Sequence, residues 1–413
     1  MRIIELTMDR FDQFAANHPL RNYCQTSAYA RLMGEQGFSY DYIGYEDDSH
    51  NLVAASLILY KRIGLCRYAY APRGFLIDYY NADLVASFVK DIVKRCKDRK
   101  IVFIKINPEI IIGELDSKKN FAATYNQNVK IIDDLKDLKF KRRREVEPLE
   151  LIAPRISTYI NLKKYDVNKL NEETKDLLNY ANRRGLDYEI ATSKDINIFY
   201  NFIKNETNFN INSLRNLLNI FSKQSMAELI LVKVDYKKFL IQAQENYDME
   251  LEHNNECNNL IQDNPNEENL NEKMESDKLL LQLKNDIIEA TEGLKKGNND
   301  YIAGAIVIKY LNRITILCSG YNKDFKNLYP NYYLYNKLFE IYKDEYDYID
   351  LNGLASDLSS NSKYYEYNQF KLNFNPIIYE FIGEFDIILD EFNFRKLQSR
   401  DLIMKELQNF KGL

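Results

Sequence analysis

Hydrophobic and polar positions follow the same order twice along this 413-residue chain. The pattern first predicts strand, strand, helix and strand over 51–62, 66–74, 82–100 and 101–108. It predicts the same order again over 301–310, 313–321, 331–346 and 347–353. Each predicted helix has one apolar face, made by Leu84, Val85, Phe88, Val89, Ile92, Val93 and Cys96 in the first and by Tyr332, Leu334, Leu338, Ile341 and Tyr342 in the second. The repeat predicts an α+β fold with two similar domains.

A helical arm is predicted over residues 240–299. Apolar residues there follow 3-4-3-4 spacing, which favours an antiparallel coiled coil closed by a turn near Pro265; the series is Leu280, Leu283, Ile287, Ala290 and Leu294. Few apolar residues lie between 252 and 275, so a disordered acidic insertion is the alternative.

The domain limits follow from these patterns. We expect a first domain over 1–150, completed by 377–413, and a second over 151–376 that contains the arm. The basic stretch 141–145 marks the boundary, and helices are predicted over 170–185, 193–205 and 392–410.

Charge is distributed unevenly. Residues 241–299 hold 14 Asp and Glu against 5 Lys, a net of −9, while the whole chain carries −5, which leaves +4 on the remainder. A polyanionic ligand is therefore expected on the body, away from the acidic segment.

Several classes of site are disfavoured by composition. The chain has only 3 His, and its 5 Cys form no CxxC pair, so no metal site is predicted and the thiols are expected to be reduced in a cytosolic protein. The longest apolar run, 52–60, is half of a bilayer span, so we expect no membrane helix, and the N-terminal residues do not resemble a signal peptide.

Two local strings suggest chemistry. In residues 68–81, a strand runs into Pro-Arg-Gly, where Gly74 is expected to permit a sharp turn that presents Arg73 to a phosphate or carboxylate. The alternative is an Arg73–Asp78 structural pair. In residues 364–389, Lys371 lies between apolar neighbours in a predicted strand or bend, and the alternative is a snorkelling surface lysine.

These strings together resemble the Fem family of peptidoglycan bridge-forming aminoacyltransferases. The similarity lies in YAPRG with a following Asp, in KINP, in NQFKLNFNPIIYEFIGEFDIIL, and also in residues 22–38, 184–190 and 346–353. It covers nearly the whole chain in the right order. It implies two GNAT-like (acyltransferase-like) domains with a coiled-coil arm, no metal, no acetyl-CoA and no cofactor beyond aminoacyl-tRNA as co-substrate.

The resemblance also implies site roles. Lys371 corresponds to the family lysine that would stabilise the reacting oxygen, and Phe370 would pack beside the acceptor. Asp78 would orient the attacking amine. Substrate-binding positions would be Arg73, Tyr70, Phe370, Asn107 and Arg215.

Some positions depart from the family pattern. Met33 stands where many relatives have a lysine for the precursor's phosphates, and Asn107 stands where an acidic residue is common. Arg215 is the one cation in the region of the family's Thr-x-x-Arg string.

The leading hypothesis is an aminoacyltransferase that moves Gly, Ala or Ser from tRNA to the stem-peptide amine of lipid II or a UDP-linked precursor. It would act in the cytoplasm, peripherally at the inner membrane face, as a homo- or heterodimer with related transferases or alone. The alternatives are an acyl-CoA-dependent N-acyltransferase, disfavoured because no R/Q-x-x-G-x-G/A loop is found, and a non-catalytic coiled-coil interaction protein.

Overall fold

The computed structural model describes residues 1–143, 153–207, 209–297, 299–355, 357–400 and 402–403. Its strands are β1 (Arg2–Glu5), β2 (Ser39–Glu46), β3 (Leu52–Ile63), β4 (Cys66–Ala71), β5 (Ile101–Ile106), β6 (Ile111–Asp116), β7 (Ala122–Tyr125), β8 (Lys141–Arg142), β9 (Ile156–Asn161), β10 (Leu186–Ala191), β11 (Ala227–Asp235), β12 (Asn299–Tyr310), β13 (Arg313–Tyr321), β14 (Tyr348–Gly353), β15 (Ile377–Phe381) and β16 (Phe385–Ile388).

The helices alternate along the chain with the strands of two sheets. They are α1 (Met8–Asn17), α2 (Ser27–Glu35), α3 (Ala82–Asp98), α4 (Lys130–Asp137), α5 (Glu172–Asn182), α6 (Ile196–Ile203), α7 (Ile211–Phe221), α8 (Tyr236–Asp263), α9 (Glu267–Lys296), α10 (Pro330–Tyr342), α11 (Tyr365–Leu372) and α12 (Glu391–Ser399). Within the described residues, none of them is long and apolar enough to cross a bilayer.

The predicted repeat is confirmed in both halves. Strands β3 and β4 pair antiparallel, and β4 pairs parallel with β5 after the crossover through α3. In the second half, β12 and β13 pair antiparallel, and β13 pairs parallel with β14 after α10. The chain thus builds a mixed α/β fold on two sheets, as the hydrophobic pattern indicated.

Helix α3 shows how the sequence fixes one of these crossovers. The Asn81 side chain accepts a hydrogen bond from the Leu84 N–H, which caps the first turn. Most of the predicted apolar face is buried against the sheet, and Phe88 and Ile92 are completely inaccessible to solvent. Two cations in the last turn, Arg95 and Lys97, complement the partial negative charge of the helix end.

The two sheets exchange strands. The first has the order β1-β2-β3-β4-β5-β16-β8 and the second β10-β11-β12-β13-β14-β9-β15-β6-β7. Strands β6 and β7, which come early in the chain, therefore belong to the second sheet, and β16, which comes late, belongs to the first. Residues 107–110 and 382–384 pass between the sheets, and we call this region the junction. The domain limits at residues 150 and 376 stay a prediction.

The two halves also share apolar contacts. One core contains Phe11 and Leu57 from the first half and Phe199 and Leu218 from the second. Burial of this apolar surface favours one fixed arrangement of the two halves. The residues of the junction, which connect the two sheets, are thereby held in place.

The acidic segment forms two adjacent antiparallel helices, α8 and α9, which we call the helical hairpin. Its base is apolar, with Phe239, Ala243 and Ala290 buried together. In the predicted seam, Leu283 is buried while Leu294 is 39% exposed. The helical arm thus corresponds to α8 and α9, and its coiled-coil geometry stays a prediction.

Two local expectations need correction or limits. Lys371 was predicted in a strand or bend, but it lies in the eight-residue helix α11. The predicted helix over 392–410 corresponds to α12, which ends at Ser399 with Arg400 as its C-cap, and to helical residues 402–403. Residues 401 and 404–410 lie outside the described residues, as do 144 and 145 of the basic stretch.

Gly293 lets α9 lie very close to the Tyr236 ring at the base of the hairpin. A Cβ atom at Gly293 would lie 2.1 Å from the Tyr236 ring, far inside van der Waals contact. Alanine normally stabilises a helix over glycine by about 1 kcal/mol. We nevertheless expect Gly293→Ala to lower the free energy of unfolding by about 1–3 kcal/mol, because overpacking opposes the helical preference.

Urea unfolding measures this effect. Tyr236→Ala removes the ring that the new Cβ atom would clash with. Gly293→Ala should therefore lower the free energy of unfolding less in the Tyr236→Ala protein than in the wild type. Equal losses in the two backgrounds would show that the close contact is not the cause.

Candidate active site

The loop after β4 is held by a buried amide. Arg73 has a left-handed φ of 51°, and its backbone N–H donates to Asn107 Oδ1 at 2.8 Å. A Cβ atom at Gly74 would lie 2.8 Å from Ser56 Oγ and 3.0 Å from Gln25 Nε2. The expected turn is present, because the Gly74 N–H donates to the Ala71 carbonyl at 3.2 Å. Gly74 is needed there for space, and Arg73 takes the left-handed backbone conformation.

Three predicted binding residues come together at this loop. The Tyr70 hydroxyl donates to Asn107 Oδ1 at 3.1 Å, beside the bond from Arg73. The Nδ2 atom of Asn107 is buried and has no hydrogen-bond partner among the described residues. A buried amide without a partner is unusual and marks this N–H₂ group as a candidate contact.

The Arg73 guanidinium is partly buried, and its charge interacts with that of Glu109. It lies 5.8 Å from the centroid of the Phe381 ring and makes no ion pair or hydrogen bond with the described residues. The alternative Arg73–Asp78 pair is not observed: Asp78 is exposed and accepts a hydrogen bond from the Tyr80 N–H at 2.9 Å. An unpaired guanidinium suits a carboxylate or phosphate.

Glu109 lies at the centre of the junction. Both Nη atoms of Arg313 donate to its carboxylate, at 2.9 and 3.0 Å, and so do Asn22 Nδ2 at 2.6 Å and the Tyr159 hydroxyl at 3.0 Å. Burial alone would raise the pKa of Glu109, but Arg313 and Arg73 lower it to about 2. This carboxylate is therefore charged at neutral pH and joins the two halves of the chain.

A second buried carboxylate, Asp350, lies on β14 beside β9. It accepts hydrogen bonds from Ser157 Oγ at 2.9 Å and from the Asn352 N–H at 2.8 Å. Burial raises its pKa, which Arg313 partly offsets. The negative charge of Asp350 in turn acts on both Arg313 and Lys371.

Lys371 is buried, with 2% of its surface exposed. Its Nζ donates to the Gly353 carbonyl at 2.7 Å and to the Tyr367 hydroxyl at 2.6 Å. Burial lowers the pKa of Lys371 to about 8, while Tyr335 and Asp350 oppose that shift. The alternative of a snorkelling surface lysine was wrong.

We call this set of polar residues the junction cluster; its members are Tyr70, Arg73, Asn107, Glu109, Tyr159, Arg313, Asp350 and Lys371. Glu109 and Asp350 were not among the predicted site residues, although both lie in strings that carry the resemblance, directly after KINP and within YIDLNG. The cluster contains two carboxylates and three cations, a set that suits charged organic groups better than a metal ion.

Comparison with known proteins identifies the family. The FemAB family matches residues 6–399. The chain belongs to the FemAB family. The resemblance inferred from the sequence is thereby confirmed across nearly the whole chain.

Two curated relatives and one solved structure are similar to this FemAB protein. The lipid II:glycine glycyltransferase of Staphylococcus epidermidis is 24% identical over 408 residues, covering 95% of this chain and 94% of the relative. The lipid II:glycine glycyltransferase of Staphylococcus aureus is 23% identical over 419 residues, with the same coverage. The crystal structure of FemX superposes with a TM-score of 0.76 at 19% identity, covering 96% of this chain and all of FemX, and so shows the same fold.

The side chains of the other predicted site residues make no hydrogen bond or ion pair with the junction cluster among the described residues, although Phe370 directly precedes Lys371 in α11. Phe370 packs its ring against Tyr332 and Tyr335, at centroid distances of 5.1 and 4.8 Å. Arg215, on α7, donates to Asn212 and Asn197 at 2.9 and 3.2 Å. Their predicted roles, and that of the exposed Asp78, stay predictions.

The departure at residue 33 has a structural reason. Met33 is completely buried in the core shared by both halves. A lysine there would place a charge among apolar side chains, which is costly without a partner. Any phosphate contact in this FemAB protein must therefore come from elsewhere.

Proposed function

We propose that this FemAB protein is an aminoacyltransferase of peptidoglycan bridge synthesis, and that it moves glycine, alanine or serine from aminoacyl-tRNA to a stem-peptide amine. The observation that carries the proposal is the match to two lipid II:glycine glycyltransferases over 94% of their length. Those names favour glycine as the donor residue and lipid II over a UDP-linked precursor as the acceptor.

The reaction turns an ester into an amide. The amine nitrogen attacks the ester carbonyl, and the carbonyl oxygen becomes negative. The bond to the ribose oxygen then breaks, and the proton that the amine loses ends on that oxygen as a hydroxyl group. The step is downhill and requires no cofactor, so the main tasks are to orient the reactants and to stabilise the oxyanion.

Lys371 is the proposed oxyanion donor. An ammonium group has three N–H bonds, and the structure accounts for two of them, to Gly353 and Tyr367. The third has no partner among the described residues. Because the site is buried, a charge there acts more strongly on a developing oxyanion than it would in water.

The amine needs a carboxylate to orient it. Asp78 keeps the role that the resemblance implies, from the solvent side of the loop. Asp350 is the buried alternative, because its charge acts directly on Lys371. Glu109 is less suited to accept a proton, since its pKa is about 2 and all its described hydrogen bonds hold it in place.

Arg73 is the proposed contact for an anionic group of the precursor, positioned by Tyr70 and Asn107. Arg215 keeps its predicted role as a second cation for substrate, and Phe370 its role beside the acceptor. The hairpin's net negative charge would repel RNA, so tRNA is expected on the body of the protein.

We also propose where the enzyme works. A lipid-linked acceptor requires peripheral contact with the inner face of the membrane from the cytoplasm. We also propose that the enzyme forms a homodimer, or a heterodimer with a related transferase, as predicted from the sequence.

The test is transfer from charged tRNAs to lipid II in detergent, followed by mass spectrometry of the stem peptide. We expect glycyl-tRNA to donate, ribonuclease treatment to abolish transfer, and acetyl-CoA to give no product. Acyl transfer from acetyl-CoA without tRNA would favour the alternative acyl-CoA enzyme. No transfer from any common charged tRNA would contradict the proposal.

A further inference from the structure

The outer half of the helical hairpin lacks an apolar core. Within it, Leu260, Leu270 and Met274 are exposed by 49%, 46% and 68%. The contacts between the helices there are polar, such as Asn254 Nδ2 to Ser276 Oγ at 2.9 Å. Two helices without buried apolar surface need another connection to stay paired.

Three metal-type donors meet in that region. His253 and Cys257 are four residues apart on one face of α8, and Glu272 faces them from α9. His253 Nε2 lies 3.3 Å from Glu272 Oε1 and 3.7 Å from Cys257 Sγ. All three donor atoms lie within 4.8 Å of one another.

These separations fit a tetrahedral ion. Zinc bonds of about 2.0–2.1 Å to nitrogen, 2.0–2.2 Å to oxygen and 2.3 Å to sulfur place tetrahedral neighbours about 3.3–3.6 Å apart. The two separations from Nε2 lie at or near this range. The third, from Cys257 Sγ to Glu272, is at most 4.8 Å, so these two donors need to approach by no more than about 1 Å to share one ion.

The second imidazole nitrogen is also held. His253 Nδ1 lies 3.4 Å from Glu250 Oε1, and that oxygen accepts a hydrogen bond from Ser276 Oγ at 2.6 Å. A carboxylate that binds the far nitrogen of a metal-bound histidine orients the ring and selects its tautomer. The hairpin therefore provides both the ligands and the support for one of them.

We propose that the outer half of the hairpin binds one zinc ion through His253 Nε2, Cys257 Sγ and a Glu272 carboxylate oxygen, with water as the fourth ligand. A bond from sulfur to zinc replaces the S–H bond, and the proton goes to solvent. The ion joins α8 to α9 where apolar contacts are missing. This site is separate from the junction cluster and does not depend on the proposed function.

Zinc is favoured over other ions by the donor set. Sulfur and imidazole nitrogen are poor ligands for magnesium and calcium, and they suit zinc well. Cys257 is 2% exposed, whereas the His253 and Glu272 side chains are 44% and 48% exposed, so the ion can reach the site from solvent.

The experiment uses the full chain after dialysis against a chelator. Zinc is titrated in competition with a chromophoric chelator, and the stoichiometry is read by native mass spectrometry. We expect one equivalent to bind. His253→Asn and Cys257→Ser should each weaken binding at least tenfold, and Glu250→Gln by about 10–100-fold through lost support.

Matched controls separate this site from other thiols and carboxylates. Cys66→Ser removes a thiol elsewhere, and Glu256→Gln removes an exposed carboxylate from the same helix, so both should bind zinc as the wild type does. Cobalt in place of zinc should show thiolate-to-metal absorption that Cys257→Ser abolishes.

Hydrogen exchange provides a readout of the structural role. Zinc should slow exchange of amides in residues 250–276 at least tenfold and leave the strands unchanged. The alternative is that His253 forms only ion pairs with Glu250 and Glu272, whose hydrogen bonds raise the pKa of His253. In that case zinc would leave the exchange rates unchanged. Absence of saturable zinc binding, or binding that survives both His253→Asn and Cys257→Ser, would overturn the proposal.

Discussion

Replacement of Lys371 by methionine is expected to lower kcat about 10²–10³-fold, the usual effect of removing one oxyanion donor. Methionine has a similar length and is tolerated in a buried position, so the fold should persist. Substrate KM should change little, because the donor acts mainly on the charge that develops during the reaction. Steady-state transfer assays together with circular dichroism measure both parts of this expectation.

Lys371 also predicts two opposite responses to pH. Its pKa is about 8 in the folded protein and near 10.5 in an unfolded chain. The rate should fall as pH rises through about 8, because Nζ loses its charge. The free energy of unfolding should rise between those two values, since the unfolded chain binds the extra proton there.

The methionine variant is the control for both responses, because it should lack each of them. Lys363, which is exposed, offers a matched comparison: Lys363→Met should leave the rate and its pH dependence unchanged. A Lys371→Met enzyme with wild-type turnover would remove this residue from the mechanism.

Replacement of Glu109 by glutamine is expected to be the most destabilising of the single changes considered. The substitution leaves Arg313 without its charged partner. The pair is largely buried, since the Glu109 side chain is only 8% exposed. Breaking a buried ion pair on one side costs about 3–5 kcal/mol. Urea unfolding of Glu109→Gln measures the loss, and Glu114→Gln, an exposed carboxylate on β6, should lose almost nothing.

Acid unfolding tests the same pair. The pKa of Glu109 is lowered to about 2 from an ordinary value near 4.5. Its contribution to the free energy of unfolding is therefore complete above about pH 4.5 and is lost as pH falls through about 2. The Glu109→Gln variant should lack this component. Arg313→Gln combined with Glu109→Gln should cost less than the sum of the single changes. Additive losses would mean that the pair is not coupled.

Local patterns determined part of this structure. Six apolar residues of α3, among them Phe88 and Ile92, are buried as their spacing predicted, because helix periodicity depends on neighbours within the same segment. The helix α11 was missed because it is short and its residues include Asn368 and two tyrosines, which have weak helix preference. Part of what stabilises α11 is tertiary: Lys371 donates hydrogen bonds to Gly353 and Tyr367, and the contact with Gly353 forms only in the folded chain.

The centre of the candidate site could not be predicted in the same way. Glu109 meets Arg313 across 204 residues of sequence, and Asp350 meets Ser157 across 193. No local period relates such residues, so their pairing becomes visible only after the sheets exchange strands. Lys371 and Arg73 could be selected earlier because their local sequence strings are unusual, and the family resemblance then implied a role for each.

The position of β15 between β9 and β6 has a consequence for biosynthesis. The β6–β7 hairpin reaches the rest of its sheet only through residues 377–381, which leave the ribosome more than 250 residues after β6. At roughly 5–20 residues per second, this hairpin waits some tens of seconds with one edge unpaired. A nascent chain in that interval presents an open strand edge, which makes it a natural client for a chaperone until its C-terminal part is made.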